Sequence, residues 1–144
     1  KEDFARFHPS GTLGRRLILR VSDVMRTTDD MAVVSPETQM LDVMRAITSA
    51  GVGAACVVDK DMHLVGFISD GDLRRYVSHE RRLEAVASDF MNKSVATIEP
   101  DLLAVEALEV FQNLPKKIGE MPVLEEDKLV GLIMLKDLLR SGIL

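Results

Sequence analysis

Apolar residues in this 144-residue chain follow two alternating rhythms. Over 37–50 they fall at Met40, Met44 and Ile47, and over 101–114 at Ala104, Leu108 and Phe111. Side chains at i, i+4 and i+7 share one face of a helix, so both segments are predicted amphipathic helices. Gly51 is placed to end the first, because glycine accepts a left-handed turn without a Cβ clash. Elsewhere the apolar residues cluster in short stretches: 32–34, 55–59 and 63–69, then 95–98, 121–125 and 128–134. Such aliphatic, β-branched runs have strand length. The polar turn Lys60-Asp61-Met62 joins 55–59 to 63–69, and shorter helices are expected over 70–77 and 135–141. The order is β-α-β-β-α, twice.

The two halves also match residue by residue. Ser22-Asp23-Val24-Met25 recurs as Ser88-Asp89-Phe90-Met91, an offset of 66. Ser35-Pro36 recurs as Glu99-Pro100, and Leu41-Asp42-Val43-Met44 as Val105-Glu106-Ala107-Leu108, both at 64. CVVD (56–59) matches PVLE (122–125), and GFISDGDL (66–73) matches GLIMLKDL (131–138), with Met134 standing where the first copy has Ser69. Self-similarity in a fixed order marks a duplicated structural unit. A unit of about 60 residues is near the lower limit for an independent core. LVGLIML (129–135) is apolar on both faces and needs cover on both. The halves are therefore expected to pack on each other about a pseudo-two-fold axis, in an α/β (α+β) fold.

Composition narrows the function. Apolar residues make up 47% and aromatics 4%, with no Trp, so the core is aliphatic. A net charge of −5 repels a phosphate backbone, which argues against nucleic acid as partner and leaves any anionic ligand to local geometry. Cys56, the single cysteine, lies in AACVV and reads as a small buried hydrophobe, with no intrachain disulfide possible. His8, His63 and His79 are scattered, so no metal site is expected. No run approaches the ~20 apolar residues of a membrane span, and the start KEDFARFHP has no apolar signal segment. A cytoplasmic protein without membrane contact is expected. The chain begins without Met and is read as a piece of something longer.

The candidate chemistry sits where the first copy enters its closing helix. A helix beginning near residue 70 presents free backbone N–H groups and a positive dipole end, which suits a phosphate. Ser69 adds a hydroxyl donor, Gly71 permits close backbone approach, and Asp72 can accept from a ribose diol. The plain alternative is that Ser69-x-x-Asp72 is a helix capping box and binds nothing. Met134 can neither cap nor donate, so one competent site and one degenerate site are expected, with Asp137 left in the second. Arg74 and Arg75 follow the motif, and neighbours on a helix point about 100° apart, so at most one faces a pocket well.

These features resemble a tandem pair of CBS domains (cystathionine-β-synthase-type repeats). The marks are the duplicated element order, the VVD and PVL strands, and Gly66 to Asp72 with Gly131 to Asp137 at the start of each closing helix. The resemblance covers about residues 21–141 and implies repeats at 21–80 and 81–144. It implies that Ser69 and Asp72 hold phosphate and ribose. It also implies that a base lies between Val33, Val34 and Ser35 on one side and Cys56 and Val57 on the other.

The segment FARFHPSGTLGRRLILRVSDVM (4–25) resembles the linker that joins the sugar-isomerase (SIS) domain to the CBS pair in D-arabinose 5-phosphate isomerases. That family writes HPGG where this chain has His8-Pro9-Ser10-Gly11, and GDLRR (71–75) and DLLRSG (137–142) also suit it. Residues 1–20 are then a linker from a missing SIS domain, and His8 is a catalytic candidate only in a full-length enzyme. The resemblance implies a regulatory module with no required cofactor, sensing CMP-Kdo or an adenine nucleotide. Its implied partners are its own SIS domain and a second CBS pair, in a homodimer within a tetrameric parent. A purely structural dimerisation module without a ligand is the competing reading.

Overall fold

The structure is a computed structural model and describes residues 18–80 and 84–143. The first half opens with a single helical turn, α1 (Val21–Val24), and a two-residue strand, β1 (Arg26–Thr27). After a 3-10 turn come β2 (Ala32–Val34), α2 (Met40–Ala50), β3 (Ala54–Val58), β4 (Leu64–Ser69) and α3 (Asp70–Glu80). The second half has α4 (Ala87–Phe90), α5 (Ala104–Asn113), β5 (Glu120–Glu125), β6 (Lys128–Met134) and α6 (Leu135–Arg140).

The expected strands and helices are present, with differences that have local causes. α2 and α5 begin three residues later than expected, because Gln39 and Leu103 stay extended and bridge to Val86 and Arg20 of the other half. In α2 the buried residues are Met40, Val43 and Ile47, whereas Met44 is 40% exposed: the buried stripe turns by one position. Gly51 ends α2 at φ +68°, donating to the carbonyls of Ile47 and Thr48. The expected strand at 95–98 contracts to one parallel bridge, Ile98 to Val123. The amide that would extend this ladder toward Ala96 belongs to Pro122, which has no N–H to give. At the matching place in the first half Cys56 carries one, and β2 pairs with β3 over three residues.

The halves exchange their first segments. β1 adds to β6, so the second sheet runs β1-β6-β5, while β2-β3-β4 forms the first. In return, Asn92 bridges β4 at Phe67 as Arg26 bridges β6 at Leu132. The same reciprocity runs through the main chain. Val21 N–H donates to Leu102 and Ala87 N–H to Thr38; Ala104 N–H donates to Leu19 and Met40 N–H to Ala85. Each pair is its partner's copy at offsets of 64 and 66. His63 bridges Lys128, its own counterpart, and so marks the pseudo-two-fold axis.

Four carboxylates fix the starts of short helices by accepting from the N-cap amide three residues earlier. They are Asp23 (from Arg20, 2.9 Å), Asp72 (from Ser69, 3.1 Å), Asp89 (from Val86, 2.9 Å) and Glu106 (from Leu103, 3.0 Å). That is why Ser-Asp recurs at residues 22–23 and 88–89.

The core forms two apolar clusters, and each borrows from the other half. Val21 joins the cluster of α5, β5 and β6, whereas Ala85 and Ala87 join that of α2, β3 and β4. Along β6, Leu132 and Met134 enter the first cluster and Ile133 the second, the alternation a strand covered on both faces requires. Cys56 is fully buried, and burial pushes its thiol up to about 12. It stays protonated near neutral pH, so a chromogenic disulfide reagent is expected to modify it at least about tenfold faster in denaturant than in the native protein.

Candidate functional site

The first-half motif lines a cleft of about 550 Å³ between the two repeats. One wall is the end of β4 and the start of α3, with Ser69, Gly71, Asp72 and Arg75. The facing walls belong to the other half: Asn92 with Ser94 to Ala96, and the stretch Leu114 to Glu120. The volume is in the range of small-molecule sites. Ser69 and Asp72 form a reciprocal capping box at the N-terminus of the eleven-residue α3, with Asp72 N–H donating to Ser69 Oγ at 3.0 Å. The box leaves the Ser69 hydroxyl hydrogen and further lone pairs of Asp72 free to face a ligand. A side chain at Gly71 would meet only Arg75 Nη1 at 3.5 Å and Ser69 Oγ at 3.8 Å, so this glycine keeps the mouth of the cleft open.

The cleft's positive charge comes from three residues. Arg75 pairs with Asp72. Lys116 and Lys117 form no ion pair among the described residues. Both lysines stand where the repeat offset changes from 64 to 66, in a two-residue insertion that the first half lacks. The sequence signal was that change of offset.

The two-fold-related cleft of about 370 Å³ contains Arg26, Asp29, Asp30, Ser49, Ala50 and Asp137. Arg26 Nε donates to Asp137 at 3.2 Å and its Nη1 lies 3.5 Å from the Ala50 carbonyl. The arginine lines this cleft and pairs with the carboxylate that the motif would offer. Met134 is only 3% exposed and packs into the core instead of facing this cleft. The second copy thus keeps the fold while its polar groups are turned on each other.

The structure brings together Ser69, Gly71 and Asp72, and adds Arg75 in preference to Arg74. Arg74 points away and pairs with Asp70 at 2.6 Å. Val34 and Val57 are register partners within the first sheet, Val57 fully buried, and neither lines the cleft of Ser69 and Asp72. Cys56 is as buried as Val57, and Val33 does not line that cleft either. Ser35 closes the turn before α2, its amide donating to Thr38 Oγ1 at 3.0 Å. The reason is the exchange of segments: each motif faces the opening segment of the other half, not its own. Asp137 lies in the second cleft, and His8 lies outside the described residues.

Asp59, Asp61 and His63 bring potential ligand atoms within 4.8 Å of one another at the β3–β4 turn, a grouping that pairing histidines alone would not find. Asp59 Oδ1 accepts from the amides of Asp61 and His63, both at 2.9 Å, and its carboxyl is held below the usual range, first by the His63 N–H. That carboxylate fastens the turn. Among the described residues no helix is long and apolar enough to cross a membrane.

The sequence matches the profile of the CBS domain twice, at residues 21–79 and 86–143. It is 36% identical over 144 residues to the arabinose 5-phosphate isomerase KdsD of Yersinia pestis, covering 99% of this chain and 43% of that protein. It is 37% identical over 145 residues to KdsD of Pseudomonas aeruginosa, covering 99% and 44%. The chain therefore spans less than half the length of these relatives. In fold it resembles CBSX2 of Arabidopsis thaliana in complex with AMP, with a TM-score of 0.73 at 23% identity over 88% of this chain and 97% of that one. It also resembles the CBS domain pair of protein MJ0100 in complex with 5′-methylthioadenosine and S-adenosyl-L-methionine, with a TM-score of 0.74 at 17% identity over 85% and 94%. Two profile matches across most of the chain, on halves that pack with reciprocal contacts, establish that this protein belongs to the CBS domain family as a tandem pair.

Proposed function

We propose that this chain is the nucleotide-sensing regulatory pair of a D-arabinose 5-phosphate isomerase, with one working ligand site. The observation that carries the reading is the first cleft. Ser69, Gly71 and Asp72 stand at a helix N-terminus, and Arg75, Lys116 and Lys117 add positive charge around it. A phosphate is favoured there by free amides, the helix dipole and the lysines together. AMP in CBSX2 and adenosyl compounds in the MJ0100 pair support the ligand class. The likeness to KdsD supports a parent enzyme that supplies Kdo, for which CMP-Kdo is the feedback ligand and an adenine nucleotide the alternative.

In that enzyme residues 1–20 link the pair to a SIS domain, and His8 belongs to the catalytic site. The pair alone is inactive. Ligand binding biases the arrangement of the repeats, and the catalytic domains read it through the linker. The parent works in the cytoplasm, as a tetramer joined through its CBS pairs.

The test is a thermal-shift titration of this chain with CMP-Kdo, CMP, AMP, ADP and ATP, beside Asp72→Ala. A ligand that binds only the folded state stabilises it by about 2.7 kcal/mol at a hundred times its Kd. For a domain of this size that is a rise of roughly 5–10 °C. Asp72→Ala also loses a cap, worth about 1 kcal/mol, so the readout is the ligand-induced rise within each variant, expected in the parent chain and lost in Asp72→Ala.

A second reading has its own support. Ser69 and Asp72 already satisfy each other as a cap, and Leu41, Met44 and Leu139 are exposed apolar residues on helices, 55%, 40% and 45% accessible. No rise with any of the five ligands at millimolar concentration leaves a dimerisation module as the function.

A further inference from the structure

Glu120 is a carboxylate with no hydrogen-bond or ion-pair partner among the described residues, in a place that disfavours it. It opens β5, opposite Met134, and lines the first cleft. Its Oε2 lies over Gly53 of the other half, 2.7 Å from where a Cβ would stand, so a side chain at residue 53 would push it aside. Among the described residues it accepts no side-chain hydrogen bond and forms no ion pair. Burial pushes its carboxyl above the usual range, an effect that Lys136 only partly offsets. Its counterpart in the first half is Ala54, and around the matching Gly119 nothing approaches within 4 Å. The carboxylate is thus a feature of one cleft alone, as are Ser69 and the two lysines. A titratable group held against its preference in a cleft marks a binding position.

We propose that Glu120 is a specificity-determining residue of the first cleft: its carboxylate accepts a hydrogen bond from an amino group of the ligand's base. The proposal rests on the reading of this cleft as a nucleotide site. An ionised carboxylate is acceptor-only and repels phosphate, so it must face the donor-bearing, uncharged part of the ligand. In AMP and CMP such donors are of two kinds, the ribose hydroxyls and an exocyclic amine. Asp72 is placed for the hydroxyls, and Glu120 on the facing strand is left for the amine. Adenine and cytosine carry that amine; hypoxanthine and uracil present a carbonyl oxygen at the same position and would oppose acceptor to acceptor. Leaving a buried polar group so opposed is what lets a site reject a near-isosteric ligand.

The experiment is calorimetric titration of the 144-residue chain with AMP against IMP and CMP against UMP, repeated with Glu120→Gln and Glu120→Ala, each first shown to unfold cooperatively. The expected result is at least a tenfold preference for the amino member of each pair in the parent chain. Glu120→Gln should bring the ratios near one, because an amide offers either donor or acceptor by turning over. Glu120→Ala should weaken the amino ligands and leave the oxo ligands nearly unchanged. Equal binding of AMP and IMP and of CMP and UMP overturns this proposal alone. So does a preference that survives both substitutions, or an equal loss for both members of a pair. Binding by none of the four overturns it together with the nucleotide reading on which it rests.

Discussion

Gly131→Val is expected to lower the stability of the pair by about 3 kcal/mol, with a fall in Tm of roughly 10 °C. A Cβ at Gly131 would stand 2.6 Å from the backbone carbonyl oxygen of Arg26 and 2.6 Å from Met25 Sδ. The carbonyl belongs to β1, whose register places Thr27 opposite Gly131, so it can move only by parting the two strands. Gly66→Val, at the matching position, is expected to cost about 1–2 kcal/mol. There the obstruction is the Met91 side chain, with Cγ at 2.7 Å and Cβ at 2.9 Å; the thioether can turn aside and the Cβ need shift only slightly. Thermal and urea unfolding of the two variants, side by side, measures the difference. Equal losses would mean that β1 is not held against β6 as described, and no loss in either would remove the equivalence of the two motifs.

Met134→Ser restores the letter of the first motif in the second copy and is expected to harm the protein. The methionine is 3% exposed and joins the core cluster shared with Leu129 and Leu132. Removing it opens a cavity and buries a hydroxyl, for a loss of about 2–4 kcal/mol and a Tm lower by roughly 8–15 °C. The new hydroxyl can cap α6, which recovers at most about 1 kcal/mol. On the proposal of one working site, ligand stoichiometry by calorimetry should stay at one, because Arg26 still lines the second cleft and pairs with Asp137. A stoichiometry of two would show that residue 134 alone closes that site.

The duplicated β-α-β-β-α order was legible because periodicity and repeated motifs are properties of the chain taken in series. The same holds for the helix end at Gly51 and the both-faces burial of β6. The exchange was not legible. It is built from main-chain bonds of short segments such as Arg26–Thr27 and Asn92, which carry no periodic pattern. That omission explains why Val34, Ser35 and Val57, expected around a base, do not line the cleft of Ser69 and Asp72. Ser69, Gly71 and Asp72, which share one cleft, could be grouped from the sequence because their spacing is local. Lys116, Lys117 and Glu120 arrive from the other half, and only the shift in offset hinted at them. Met134 read as a lost polar group; in the folded chain it is a core residue with its own reason to be apolar.

The exchange has a consequence for the order in which the chain acquires its fold during synthesis. Arg26 and Asp137 meet across 111 residues of chain, and the Arg20 side chain reaches the Asp101 carbonyl across 81. Residues 20–27 therefore meet most of their partners only once the second half has been made, and Ala85 and Ala87 complete the first core only after the first half has ended. Such distant closures are slow because the intervening chain must be gathered before any contact rewards it. The pair matures as one unit, and residues 20–27 are among its last parts to be fastened.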